Sequence, residues 1–169
     1  MRTKRLVLMA LLTAIALTIF WVEQQFPLPI PIPGIKLGLS NIVTLFAIVF
    51  LGWREAAVIL IMRITLGAIF TGQPVTFFYS MAGGICCLMA ELLLYIHLKN
   101  KFIWAISAVG AMVHNTAQLF VAVLVTKTLA VFWYLPFLLI AGIISGIFTG
   151  LCVQILASTA WNSIHRLLR

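Results

Sequence analysis

Two ionisable side chains and one short polar run stand inside stretches that are otherwise apolar. Arg63 lies within residues 55–70, Glu91 within residues 75–97, and His114, Asn115 and Gln118 within residues 102–126. A charge at membrane depth costs several kcal/mol unless it is paired or hydrated, so such residues mark ion pairs, ligand sites or wet cavities. At about 1.5 Å of rise per residue, Arg63 stands roughly 13 Å from the turn at Arg54, and Glu91 roughly 9 Å from His97. Those depths allow an ion pair tying two helices together. They equally allow an arginine that reaches an anionic group of a ligand, and the spacing leaves both open. His114 and Gln118 are four apart and share a helix face, with Asn115 beside them. Three polar side chains so close together on an apolar helix either line a cavity, with Lys36 and Gln73 above it, or clamp a neighbouring helix.

The rest of the reactive inventory is short. There is no aspartate, and Glu23, Glu55 and Glu91 are the only acids. An aspartate-rich magnesium–diphosphate site cannot be built from this chain. No GxxxxGK[ST] phosphate loop occurs, so any ATP-driven step needs another protein. No serine–histidine–aspartate or two-carboxylate arrangement supports hydrolysis. Cys86, Cys87 and Cys152 sit in apolar runs and read as buried thiols. The expectation is a protein that is not an enzyme, with no metal and no cofactor.

Composition explains what must position these groups. The 169 residues are 64% hydrophobic and 8% charged, with mean hydropathy +1.20. A soluble domain carries roughly 25% charged residues, so this chain reads as an integral membrane protein. Its apolar runs are continuous rather than alternating, which predicts helices and not a barrel. The spacing predicts one all-α domain, residues 1–169, of six transmembrane helices at about 6–23, 39–52, 55–70, 75–97, 102–126 and 132–160. The last is glycine-rich, with Gly142, Gly146 and Gly150 at spacing four. The apolar run after Arg2, Lys4 and Arg5 lacks a small-residue cleavage site and is expected to be retained.

Between the first two helices lies Pro27-Leu28-Pro29-Ile30-Pro31-Ile32-Pro33-Gly34-Ile35-Lys36, with four prolines at every second position. Proline fixes φ and removes an amide donor, and it pushes the preceding residue to extended geometry. A stiff extended loop follows, either a plain connector or the wall or lid of a site. Ser40 or Asn41 is placed to cap the next helix. The formal charge of +8 does not indicate nucleic acid, because the cations lie between apolar runs. With the N-terminus inside, Arg2, Lys4, Arg5, Arg54, Lys99, Lys101, Arg166 and Arg169 are cytoplasmic, and only Lys36 and Lys127 lie outside. The positive-inside rule therefore predicts both termini in the cytoplasm and the proline loop outside. Ala10 and Ala14, one turn apart, permit close approach of another helix or simply fill their own.

The run Pro33-Gly34-Ile35-Lys36-Leu37-Gly38-Leu39-Ser40-Asn41-Ile42-Val43-Thr44-Leu45 resembles the signature of a bacterial membrane family. That family is heptaprenyl diphosphate synthase component I, also called the Gx transporter family. Arg63, the run Ser80-Met81-Ala82-Gly83-Gly84, and His114-Asn115-Thr116-Ala117-Gln118 are similar to its pattern as well, and the likeness covers nearly the whole chain. The family in turn resembles the substrate-binding S components of energy-coupling factor (ECF) transporters. That resemblance implies a six-helix subunit of the bacterial cell membrane that docks through Ala10 and Ala14 on a transmembrane coupling subunit served by separate ATPase subunits. It implies a small-molecule substrate held at the outer side by Lys36, Asn41, Arg63, His114, Asn115 and Gln118, with the proline loop as lid. A small anionic or carbonyl-bearing molecule, isoprenoid- or quinone-related, suits two cations and several amides. The family label implies an alternative, a non-catalytic membrane subunit of prenyl diphosphate synthesis.

Overall fold

The computed structural model describes residues 2–25 and 36–168, with side chains described for 3–25 and 36–159. The proline run expected as a lid, Pro27 to Ile35, lies outside the described residues. The described residues form six α-helices: α1 (Arg2–Gln24), α2 (Asn41–Phe50), α3 (Trp53–Thr71), α4 (Pro74–Leu98), α5 (Ile103–Thr126) and α6 (Leu135–Leu168). Short 3-10 segments, Lys99–Lys101 and Leu129–Tyr134, precede α5 and α6. Among the described residues there is no strand.

Four spans, Thr3–Gln24, Pro74–Lys101, Ile103–Thr126 and Leu129–Thr159, are long and apolar enough to cross a membrane. Large apolar side chains such as Leu124, Ile140, Phe148 and Ile155 face outward along them, as lipid contact requires. Exposed Trp21 and Trp133 mark one end of the bundle and Trp53 the other, the placement expected of interfacial aromatics. The second helix is shorter than the sequence suggested. Its 10 residues reach about 15 Å, half the hydrocarbon thickness. Gly52, at φ +119°, ends it with a backbone turn that side-chain-bearing residues avoid.

That short helix is the centre of the fold. One side of α2, with Val43, Ala47 and Ile48, packs with Leu12 and Ala16 of α1 and Ile59, Leu60 and Ile64 of α3. Its other side, with Leu45, Val49 and Phe50, packs with Ile103 and Ile106 of α5 and Val153 of α6. Helix α5 makes the most extensive contacts, with α6 and α4, whereas α1 packs only against α2 and α3 to any extent. Consequently α1 buries Leu12, Ala16, Phe20 and Glu23 at helical spacing and leaves Ala10, Leu11, Ala14 and Ile15 exposed. At the end carrying the cationic turns, Arg5 of α1 meets Glu55 of α3 at 3.5 Å.

The glycine row of α6 is a packing seam. A Cβ at Gly146 would stand 2.6 Å from the Ala108 Cα, and one at Gly150 2.5 Å from the Trp104 Cα. Small residues allow this approach, and in lipid such van der Waals contact replaces the hydrophobic drive that water supplies. One sequence expectation changes here, and one open question is answered. Cys86 is exposed and Cys152 partly exposed, so only Cys87 is a buried thiol; the first two look out of the bundle. Of the two readings left open for Arg63, the ion pair with Glu91 does not form: among the described residues the only ion pair is Arg5 with Glu55. Equal depth brings two side chains to one layer but does not turn them toward each other. Glu91 instead packs against Gly110 and Cys87.

Candidate functional site

Four helices and one loop converge at the end of the bundle opposite the Arg5–Glu55 pair. Phe20 and Glu23 come from the last turns of α1, Lys36, Gly38 and Ser40 from the segment leading into α2, Arg63 from α3, Ser80 from α4, and His114 and Gln118 from α5. Together they line a small cavity of about 10 Å³, which is roughly room for one water. Nearly every polar side chain around it is buried.

Arg63 is the hub. One guanidinium nitrogen donates to Ser40 Oγ, and Nη2 donates to Asn41 Oδ1 at 3.1 Å. This diverts both residues expected to cap α2. Neither makes a side-chain cap, and the helix begins instead on backbone bonds from Asn41 N to the Gly38 carbonyl and from Ile42 N to that of Leu39. The Asn41 amide then meets His114 Nδ1 at 3.1 Å, and Gln118 Nε2 meets His114 Nε2 at 2.9 Å. Gln118 Oε1 accepts the Lys36 backbone N–H at 3.2 Å. The imidazole is held between two glycines: a Cβ at Gly38 would lie 3.0 Å from it and one at Gly83 2.8 Å. Gly38 also has φ +78°, a left-handed conformation that glycine adopts without strain.

The two amides create a donor excess. Asn41 Oδ1 is occupied by Arg63 and Gln118 Oε1 by the Lys36 amide, so both present NH₂ groups to one ring. A neutral imidazole accepts at a single nitrogen. Satisfying both contacts therefore requires one amide to turn, which leaves Arg63 or the Lys36 amide short of an acceptor. Lys36 Nζ and Arg63 Nε likewise have no hydrogen-bond partner among the described residues. The lysine ammonium rests over the Phe20 ring, 3.5 Å from its centroid. Its burial outweighs the attraction of Glu23 and, with the repulsion of Arg63, moves the amine from its ordinary 10.5 to about 8.

Glu23 is the residue that sequence reasoning missed. Its Oε1 accepts the Gly38 and Leu39 backbone amides at 2.6 and 3.4 Å, tying the end of α1 to the segment before α2. Its Oε2 faces no donor within hydrogen-bonding distance among the described residues. The available signal was that one of only three acids stands at the end of the first helix, beside the loop carrying Lys36. Of the sequence-selected residues, the structure brings together Lys36, Asn41, Arg63, His114 and Gln118. It turns Asn115 away: Nδ2 donates to the Leu138 carbonyl at 2.7 Å, against Gly142, so this residue sits in the α5–α6 seam. Gln73 is exposed and accepts a hydrogen bond from Thr76 at 3.1 Å, outside the cavity. Ala10 and Ala14 lie on the uncovered face of α1.

Residues 12–156 match the family described as heptaprenyl diphosphate synthase component I. No curated protein and no solved structure matches the chain.

Proposed function

Because the chain belongs to the heptaprenyl diphosphate synthase component I family, whose description speaks of one component among others, we propose that it works as a membrane subunit that binds a small molecule and hands it on. The observation that carries this reading is the buried cluster of Lys36, Arg63, His114 and Gln118 around one cavity. Such a cluster is costly for folding alone and is donor-rich, which suits an anionic or carbonyl-bearing ligand. The cavity is far below the several hundred Å³ of a drug-sized site. The described arrangement is thus the closed form, and a ligand enters by displacement of the Lys36–Ser40 segment. Two hydrogen bonds from Glu23 hold that segment to α1.

In this reading the six helices lie across the bacterial cell membrane with both termini in the cytoplasm and the cavity on the outer side. The exposed Ala10 and Ala14 face docks on the coupling subunit of an ECF-type transporter, and ATPase subunits on separate chains drive uptake. A second reading is favoured by the family description itself: a non-catalytic membrane subunit that partners a soluble prenyl diphosphate synthase. Native mass spectrometry of the protein purified in mild detergent from its own cells separates them. Transport predicts coupling and ATPase subunits together with a retained small molecule. A complex with a soluble prenyl synthase and no retained ligand would overturn that reading and establish the second.

A further inference from the structure

Resting on the ligand-binding reading, the geometry points to a ligand head with no more than one negative charge, such as a single carboxylate, and to Glu23 as the residue that sets this limit. The cavity wall holds two cations, Lys36 and Arg63, and one carboxylate, Glu23. Their formal sum is +1. The connecting residues 26–35, Phe-Pro-Leu-Pro-Ile-Pro-Ile-Pro-Gly-Ile, carry no ionisable side chain, so they do not alter that sum. Glu91, the other buried acid, is outside the cavity lining and makes no ion pair among the described residues; any charge on it only lowers the total.

Glu23 is fixed at the cavity wall. Its Oε1 receives two backbone N–H groups, which offset part of the cost of burying a carboxylate there, and its Oε2 is buried with no partner among the described residues. No ion pair links it to Lys36 or Arg63, so it does not simply cancel one of them by contact. It acts on the ligand through the field it places in a low-dielectric cavity, where Coulomb terms are strong. A carboxylate head brings acceptors for Lys36 Nζ and Arg63 Nε and for the amide that the imidazole leaves unanswered, and leaves the site neutral. A diphosphate, with two or more charges, leaves an uncompensated anion beside Glu23, and burying an unpaired charge is strongly unfavourable. The same wall therefore disfavours the prenyl diphosphates that the family description brings to mind.

The test uses the full-length protein in lipid nanodiscs and Glu23→Gln, which keeps the acceptor for the Gly38 and Leu39 amides and removes only the charge. Binding of isopentenyl diphosphate is measured by calorimetry for both proteins. The expected result is that Glu23→Gln binds this probe at least about tenfold more tightly than the wild type. An equal affinity, or no binding by either protein, overturns Glu23 as the charge-setting residue. Small molecules released from the purified wild type by denaturation are identified in parallel by mass spectrometry, which does not depend on the variant folding. A released molecule with at most one negative charge supports the inference. A released diphosphate overturns it while leaving the ligand-binding function intact. Release of nothing, with no response to the probe, overturns the binding reading itself and this inference with it.

Discussion

His114 and Asn115 are neighbours on α5, yet they serve two regions built on opposite lines. Asn115 enters the α5–α6 seam, where Gly142, Gly146 and Gly150 bring backbones together and its amide is answered by the Leu138 carbonyl. His114, turned about 100° around the helix, enters a cluster where donors outnumber acceptors and charged atoms remain without hydrogen-bond partners among the described residues. The seam is packed to contact and leaves one polar atom, Asn115 Oδ1, without a hydrogen-bond partner among the described residues. The cluster tolerates unmet groups that a purely structural region would have replaced by apolar ones. On the proposed reading these two regions are a clamp and a binding surface, and packing distance together with the number of unmet groups tells them apart.

The two regions respond differently to substitution. The largest effect belongs to the seam: Gly146→Leu drives a side chain into the Ala108 backbone, 2.6 Å from where its Cβ would sit. We expect a loss above about 3 kcal/mol, seen as loss of a monodisperse peak in fluorescence-detected size-exclusion chromatography. Arg63→Met removes the donors to Ser40 and Asn41. Ligand affinity should fall about a hundredfold, with the protein still folded; unchanged binding would move the site elsewhere. Asn115→Leu removes one seam hydrogen bond, costing about 1–2 kcal/mol of stability in a thermal melt without changing ligand affinity.

Lys36 sharpens the contrast through pH. Its buried amine titrates near 8, so anion binding should weaken as pH rises through 8. Between about 8 and the unfolded value near 10.5 the unfolded chain binds the extra proton, so this lysine makes the unliganded protein more stable as pH rises through that window. Opposite slopes for affinity and melting temperature, both absent in Lys36→Met, are the expected signature. The smallest effect on the isolated protein is that of Ala14→Leu. This side chain lies on the exposed face of α1, so stability should change by less than about 0.5 kcal/mol, while on the proposed transporter reading co-purification of coupling and ATPase subunits is lost.

These regions were unequally legible in the sequence. The long apolar runs gave the helices to within a few residues, because continuous hydropathy has few alternatives; the exception is the end of α6, expected at 160 and found at Leu168, where the apolar run gives way to polar residues. Residue pairs on one helix were also legible: His114 and Gln118 share a face by spacing alone and do meet. What spacing could not supply was direction around the helix axis. Arg63 and Glu91 share a depth, but Arg63 turns to Ser40 and Asn41. Glu23 escaped notice because its partners, Gly38 and Leu39, offer backbone amides, and backbone donors leave no mark in residue type. The seam was visible as glycines at spacing four, but which helix they approach came only from the fold.

The most direct measurement of the central claim is native mass spectrometry of nanodisc-embedded wild type, Lys36→Met and Asn115→Leu, scored for retained small molecule. The account predicts a ligand on the wild type and on Asn115→Leu and none on Lys36→Met. Retention by Lys36→Met, or its loss from Asn115→Leu with the protein folded, would contradict the assignment of the cluster as binding surface and the seam as clamp.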